Sequence, residues 1–278
     1  MGKRLQLARR RAGLTQQELC HKAGLSYSTL AKIERGAIKS PSVFTVASIA
    51  GATNTPFEDL LEIKSDGQSP TRSEPKKRSK TGVRFVYFDG NGVLVRFYHR
   101  AFTQIARETH ASADLIETLF WRHNDAACSG QLSIDKFNAI FEKELDIKGF
   151  DWRKYYLKNV EAMPGVKELV EWAAKNYEIG ILSNNMPGLI DSLCEDKIFP
   201  DVTYTTIVDS SKVGIIKPDP KIYEMAEQLS GVKASEILLV DDSRPNLVAA
   251  DKAGWHVMWF DDLRPAESII KVKQSLAF

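Results

Sequence analysis

The stretch "FDGNGVLV" at residues 88–95 follows the apolar run "VRFVY" and precedes a long helix-like segment. Three readings compete for it. Asn91-Gly92 is a strong hairpin-turn signal, but the flanks favour a strand that leads into helix. The spacing of Asp89 and Asn91 suggests a calcium loop, except that Val93 and Leu94 stand where the later ligand and glycine belong. The third reading makes Asp89 a carboxylate at the carboxyl end of a parallel strand, the edge at which open α/β sheets bind their ligands.

The rest of the chain supports the third reading. Strand-like runs occur at 83–88, 178–184, 201–208, 236–242 and 255–260. Helix-like stretches at 164–176, 187–196, 219–230, 244–253 and 265–276 separate or follow them. This alternation predicts a Rossmann-like α/β domain with a parallel sheet covered on both faces. Residues 97–160 are helix-like throughout and too long for one crossover, so they predict an inserted helical cap.

A catalytic strand end predicts further polar groups at neighbouring strand ends. "ILSNN" ends a strand in Ser183 and Asn184, "GIIKPDPKIY" places Lys217 before a helix begun at Pro220, and "LLVDD" ends in Asp241 and Asp242. Asp241 and Asp242 also fit a helix-capping turn, but an acidic pair directly after "ILLV" is costly without a cation or donors. Lys217 fits a solvated surface residue equally well unless the series is taken together. Jointly, a nucleophilic carboxylate, a hydroxyl, an ammonium and an acidic pair make a phosphoryl-transfer site. The acidic groups suit Mg²⁺ through hard oxygen ligands, while Ser183 and Lys217 orient the phosphate that Asp89 attacks. The aromatic residues of "FDWRKYY" (150–156) read as packing within the cap.

Upstream, residues 64–82, "KSDGQSPTRSEPKKRSKTG", contain no aliphatic or aromatic side chain and read as a flexible linker. They divide the chain into domains at 1–63 and 83–278. The first reads as all helix. "TQQE" at 15–18 is a capping box, Gly24 permits a tight turn, and Ser26 caps "YSTLAKIER". "TPFE" at 55–58 is a second capping box with Pro56 at the first helical position. Two short helices joined by "AGLS" form the helix-turn-helix pattern, with Leu14, Leu19, Ala23, Leu30 and Ile33 as its apolar seam.

Charge separates the two parts. Residues 1–80 hold 15 Lys and Arg against 7 Asp and Glu, while the remaining 198 residues hold 23 against 29. A basic head on an acidic body points to a polyanionic partner for the head alone. No apolar run approaches the ~20 residues that span a bilayer, and the basic start lacks the apolar core of a signal peptide. The three cysteines, Cys20, Cys128 and Cys194, are distant from one another. They argue against a disulfide framework and for a reducing, cytoplasmic setting.

Residues 3–62, with "GLTQQEL", "AGLSYSTLAKIERG" and "SPSVFTVASIAGATNTPFEDLL", resemble the Xre/Cro-type helix-turn-helix family. The resemblance implies that the second helix of the motif enters the major groove of double-stranded DNA. It carries Tyr27, Ser28 and Lys32 toward base edges and Gln16, Ser26, Arg35 and Lys39 toward phosphates. It also implies a homodimer on paired half-sites. Residues 83–260 resemble the haloacid dehalogenase superfamily of aspartate-nucleophile phosphohydrolases, and are especially similar to its glucose-1-phosphatase-type branch. That resemblance makes Asp89 the nucleophile, with Ser183, Asn184 and Lys217 holding the phosphate of a small phosphorylated metabolite such as a sugar phosphate. It makes Asp89, Asp242 and the Asn91 carbonyl the Mg²⁺ ligands, supported by Asp241.

Asn91 is the departure. Most phosphatases of the superfamily carry aspartate there, which protonates the leaving group and later activates water, and an amide does neither. The similar branch often carries Gly or Asn at or next to this position and is still regarded as hydrolytic. The sequence therefore leaves two expectations: a DNA-binding regulator fused to a slow or selective phosphatase, or one fused to a non-hydrolysing sensor of a phosphorylated ligand.

Overall fold

The computed structural model describes residues 2–38, 41–53, 55, 60, 76–96 and 100–278. Lys39, Pro56 to Glu58 of the second capping box, residues 64–75 of the linker and the first three cap residues lie outside the described part. The chain divides into two compact units, Met1–Ser73 and Glu74–Phe278.

Among the described residues, the helices α1 (Gly2–Arg11), α2 (Gln16–Ala23), α3 (Tyr27–Glu34) and α4 (Val43–Thr53) of the first unit cover one small core. Leu5, Leu19, Leu30, Ile33, Val46 and Ile49 are fully buried in it. The Thr15–Glu18 capping box forms in both directions, and Gly24 ends α2 at φ +63°, a left-handed conformation that suits glycine. One stabilising feature is invisible in the apolar pattern. The Arg9 guanidinium donates to both Glu34 carboxylate oxygens, at 2.7 and 3.0 Å, and ties α1 to α3.

The second unit is built on a five-stranded parallel sheet of order β5-β4-β1-β6-β7. Its strands are β1 (Phe85–Phe88), β4 (Glu178–Ser183), β5 (Thr206–Asp209), β6 (Ile237–Asp241) and β7 (His256–Trp259). Alternation sends Val86, Phe88, Ile179, Ile181, Leu238 and Val240 into one core, and Phe85, Tyr87, Leu182, Ile237 and Leu239 into the other. The strand order reverses at β1, so the loop after Phe88 opens at the topological switch point.

The insert is helical as expected: α5 (Arg100–Thr109), α6 (Ala113–Cys128), α7 (Ile134–Leu145) and α8 (Trp152–Asn159). A short antiparallel ribbon of β2 (Val95–Arg96) and β3 (Glu161–Ala162) forms its stem, and its two-residue strands are too short to carry an alternating pattern in the sequence. Phe102, Phe120, Phe137, Phe141, Phe150 and Trp152 pack together inside the cap.

Residues 76–82, expected to end a flexible linker, are held against the second unit. Lys77 N donates to Asn176 O at 2.6 Å, and Lys80 N donates to Ala277 O at 2.9 Å. The Lys77 ammonium lies 3.5 Å over the Phe278 ring. Backbone hydrogen bonds and this cation–π contact replace the apolar anchors that the segment lacks. Among the described residues, no helix is long and apolar enough to cross a membrane.

Candidate active site

Asp89 directly follows β1, and its backbone N–H donates to Val240 O at 3.0 Å. Its Oδ1 accepts from Gly90 N at 2.6 Å and lies 3.0 Å from Lys217 Nζ. Among the described residues, Oδ2 has no hydrogen-bond partner. Lys217 also donates to Asp241 Oδ2 at 2.6 Å, and its side chain is fully buried. The backbone of Lys217 is clamped by Asn184, whose Oδ1 accepts from Lys217 N and whose Nδ2 donates to Lys217 O, both at 2.8 Å.

That clamp occupies the Asn184 side chain and leaves its backbone N–H, the group after Ser183 that the sequence reading assigns to phosphate. Ser183 Oγ lies 3.3 Å from Gly90 N at the end of β4, beside the loop that carries Asp89.

Asp241 ends β6 with its carboxylate fully engaged. It accepts from Lys217, from Ser243 N at 2.8 Å and from Asn246 Nδ2 at 3.1 and 3.2 Å. Asp242 is half-buried, and its backbone carbonyl accepts from Trp259 Nε1 at 3.0 Å. Asp89, Asp241 and Asp242 each bring a carboxylate oxygen within 4.8 Å of the others.

Three carboxylates meet one ammonium here. Burial, opposed by Lys217 and reinforced by Asp241 and Asp242, pushes Asp89 up to about 7. Burial and the neighbouring Asp241 push Asp242 up to about 6. Burial by itself would lower the Lys217 ammonium, but Asp241 and Asp89 outweigh it and hold the pKa above its ordinary value. The surplus of negative charge and the hard oxygen donors fit a divalent cation such as Mg²⁺. The Asn91 backbone carbonyl accepts no hydrogen bond among the described residues, so it is free to join such a set.

Gly92 shapes this corner. It sits at φ +87°, and a Cβ built there would lie 2.3 Å from Asp242 Oδ2. Gly92 N donates to Val95 O at 2.8 Å and Val95 N donates to Gly90 O at 3.0 Å, pinning the loop on both sides of Asn91. The Asn91 side chain is held from the cap: Tyr156, buried on α8, donates its hydroxyl to Asn91 Oδ1 at 2.7 Å. In the sequence Tyr156 reads as cap packing. Its position in an aromatic run hides it, and no local signal marks it as part of the site. Asn246 is likewise absent from the predicted set, although it lies one helical turn past the acidic pair.

In the first unit, Tyr27, Ser28, Lys32 and Arg35 are exposed on or just after α3, and Tyr27 is 55% exposed. Ser26 accepts from Thr29 N at 3.2 Å as the N-cap of α3. Gln16 has a partner the sequence does not suggest: its Nε2 donates to Glu34 Oε2 at 2.7 Å. That bond ties it to the buried Arg9–Glu34 pair with one of its two amide N–H groups.

Sequence comparison agrees with this architecture. The helix-turn-helix family profile matches residues 5–60, and the haloacid dehalogenase-like hydrolase profile matches residues 99–260. The chain belongs to the haloacid dehalogenase-like hydrolase family, with a helix-turn-helix domain at its N-terminal side. A phosphatase of Mycobacterium tuberculosis is 27% identical over 191 residues, covering 64% of this chain and 88% of that protein. (S)-2-haloacid dehalogenase 4A of Burkholderia cepacia is 26% identical over 192 residues, covering 63% and 82%. The fold is shared with a haloacid dehalogenase family enzyme of Bacteroides thetaiotaomicron solved with magnesium and inorganic phosphate. That match has a TM-score of 0.56 at 14% identity, over 64% of this chain and 94% of that one. These relatives bear on the family and not on its glucose-1-phosphatase branch.

Proposed function

We propose that this chain is a DNA-binding regulator whose C-terminal domain is a Mg²⁺-dependent phosphatase, slow or selective toward a small phosphorylated metabolite. The observation that carries the reading is the constellation of Asp89, Lys217, Asp241 and Asp242 at the switch point, next to Ser183 and the Asn184 backbone. Gly90 N and Lys217 engage Asp89 Oδ1, which leaves Oδ2 to attack phosphorus. The ester P–O bond breaks as the Asp89–phosphorus bond forms, and water then hydrolyses the acyl phosphate to release phosphate and restore Asp89. Ser183, the Asn184 N–H and Lys217 neutralise and orient the phosphoryl oxygens. Mg²⁺, when held by Asp89, Asp242 and the Asn91 carbonyl with Asp241 in support, offsets the charge that phosphate brings to an acidic site.

Two other readings have an observation behind them. Asn91 cannot donate a proton, which favours a domain that binds a phosphorylated ligand without turnover and shifts the DNA-binding state. The likeness to a haloacid dehalogenase suggests halide displacement, a reaction whose leaving group needs no proton. The third carboxylate, Asp242, favours phosphate with a cation over the halide reading. Phosphate release from a panel of esters with Mg²⁺, beside chloride release from a 2-chloro acid, separates the three. Turnover of esters that is lost in Asp89→Ala supports the phosphatase. Ligand binding without turnover supports the sensor.

For the first unit, exposed Tyr27, Ser28, Lys32 and Arg35 support docking of α3 in the major groove, with Ser26 beside them and a homodimer spanning two half-sites. Lys39 belongs to the same proposal from sequence alone. A gel-shift series on upstream DNA tests it. Affinity should fall steeply with salt, and Lys32→Ala should weaken it. Salt-independent binding contradicts the reading.

A further inference from the structure

Asn91 stands where a proton donor is expected, yet its side chain is not left loose. Tyr156 donates to Oδ1 at 2.7 Å from a buried position in the cap. With the amide oxygen so engaged, the group turned the other way is Nδ2, which no described residue accepts from. The backbone on either side is fixed by Gly92 N to Val95 O and Val95 N to Gly90 O. A neutral amide N–H cannot release a proton, but it can hydrogen-bond an oxygen that gains negative charge.

Two magnitudes decide which substrates such a donor can serve. Lost general-acid catalysis amounts to roughly 10²–10⁴-fold. One preorganised donor aimed at a developing oxyanion is worth roughly 10²–10³-fold. The donor suffices where the leaving oxygen is stable as an anion and falls short where it is strongly basic.

We propose that the Asn91 amide, oriented by Tyr156, donates a hydrogen bond to the leaving-group oxygen and makes the site selective for phosphates with acidic leaving groups. Acyl and phenolic phosphates are then the preferred class, and alkyl phosphates the poorest. This rests on the phosphatase reading above. In the reaction the leaving oxygen keeps the P–O electron pair, departs as an anion hydrogen-bonded to Nδ2, and takes its proton from water. Tyr156 acts through Asn91 and is a positioning residue.

The test uses the full chain with Mg²⁺ and measures phosphate release from acetyl phosphate, a series of substituted phenyl phosphates and ethyl phosphate. For the native chain, kcat/KM should fall steeply as the leaving group becomes more basic. Asn91→Asp should narrow the gap between acetyl and ethyl phosphate by about 10²–10⁴-fold. Tyr156→Phe should lower the phenyl phosphate rate about tenfold in the native chain and not at all in an Asn91→Ala background, since a single donor acts through that pair. Equal slopes for native and Asn91→Asp, or a Tyr156→Phe effect of the same size in both backgrounds, would overturn the proposal. A thermal melt of Tyr156→Phe matching the native one excludes general unfolding as the cause. If no phosphate is released even from acetyl phosphate, the phosphatase reading itself fails.

Discussion

Removing the charge of Asp89 should make the metal-free protein more stable. Asp89 is buried among Asp241, Asp242 and a single ammonium, and its carboxyl is pushed from an ordinary 3.8 up to about 7. Each tenfold change in proton affinity is worth about 1.4 kcal/mol, so an ionised Asp89 costs the fold on the order of 2–4 kcal/mol above pH 7. The sign comes from linkage. A carboxyl whose folded pKa is raised favours folding at pH below its unfolded value, and that advantage is lost as pH rises through about 7. Asp89→Asn removes the whole penalty at pH 8, somewhat over a third of it at pH 5, where the unfolded carboxyl is already ionised, and little below pH 4. For a unit of this size, 1 kcal/mol corresponds to roughly 2–4 °C in Tm, so the variant should melt about 4–16 °C higher at pH 8 in EDTA. Saturating Mg²⁺ should close most of the gap by stabilising the native site alone. All five tryptophans lie at residue 121 or beyond, so their fluorescence reports on the second unit only. An Asp89→Asn variant that melts below the native protein in EDTA at pH 8 would refute the electrostatic account of the site.

Individual contacts lead to other outcomes. Gly92→Ala, which places a Cβ 2.3 Å from Asp242 Oδ2 at φ +87°, should weaken Mn²⁺ binding roughly 10–100-fold by titration calorimetry; native affinity would show that the corner yields freely. Arg9→Ala leaves Glu34 buried without its guanidinium and should destabilise the first unit by about 3–5 kcal/mol. Far-UV circular dichroism should then show early helix loss while tryptophan fluorescence stays unchanged, and coincident transitions would contradict that. Burial alone would raise the Glu34 carboxyl, but Arg9 and Gln16 hold it below its ordinary value of 4.5. The pair's contribution is therefore present above that pH and fades as pH falls through the lower folded value, which an acid titration of helix content in native and Glu34→Gln chains will read. Asn91-Gly92 is a sequence prone to deamidation, but Gly92 N is bonded to Val95 O. Peptide mass spectrometry should find Asn91 intact after incubation of the folded chain and converted faster in urea; equal rates would show that the loop gives no protection.

The sheet and its polar strand ends are legible in the sequence because the signals are local. Apolar runs such as "ILLV" end in carboxylates, and strands alternate with amphipathic helices. The capping box of Thr15 and Glu18 is readable for the same reason. Contacts between distant segments are not. Tyr156 meets Asn91 across 65 positions, and nothing in "WRKYY" separates a tyrosine that packs from one that hydrogen-bonds. Arg9 counts toward the basic charge of the head and Gln16 toward its DNA contacts, because polar groups on a helix normally read as solvated. Their partner Glu34 lies on another helix, and only the fold brings the three together. The segment 76–82 reads as linker because its anchors are backbone groups, which composition does not register.

Asp89 as a working nucleophile despite Asn91 is what the phosphatase reading stands on. The most direct measurement is acid-quench trapping of the covalent intermediate. The full chain is mixed with acetyl phosphate and Mg²⁺, quenched within milliseconds, reduced with borohydride and digested for mass spectrometry. Asp89 alone should be converted to the reduced alcohol product, with no such product in Asp89→Asn. Phosphate release with Asp89 unmodified, or undiminished release by Asp89→Asn, would contradict it.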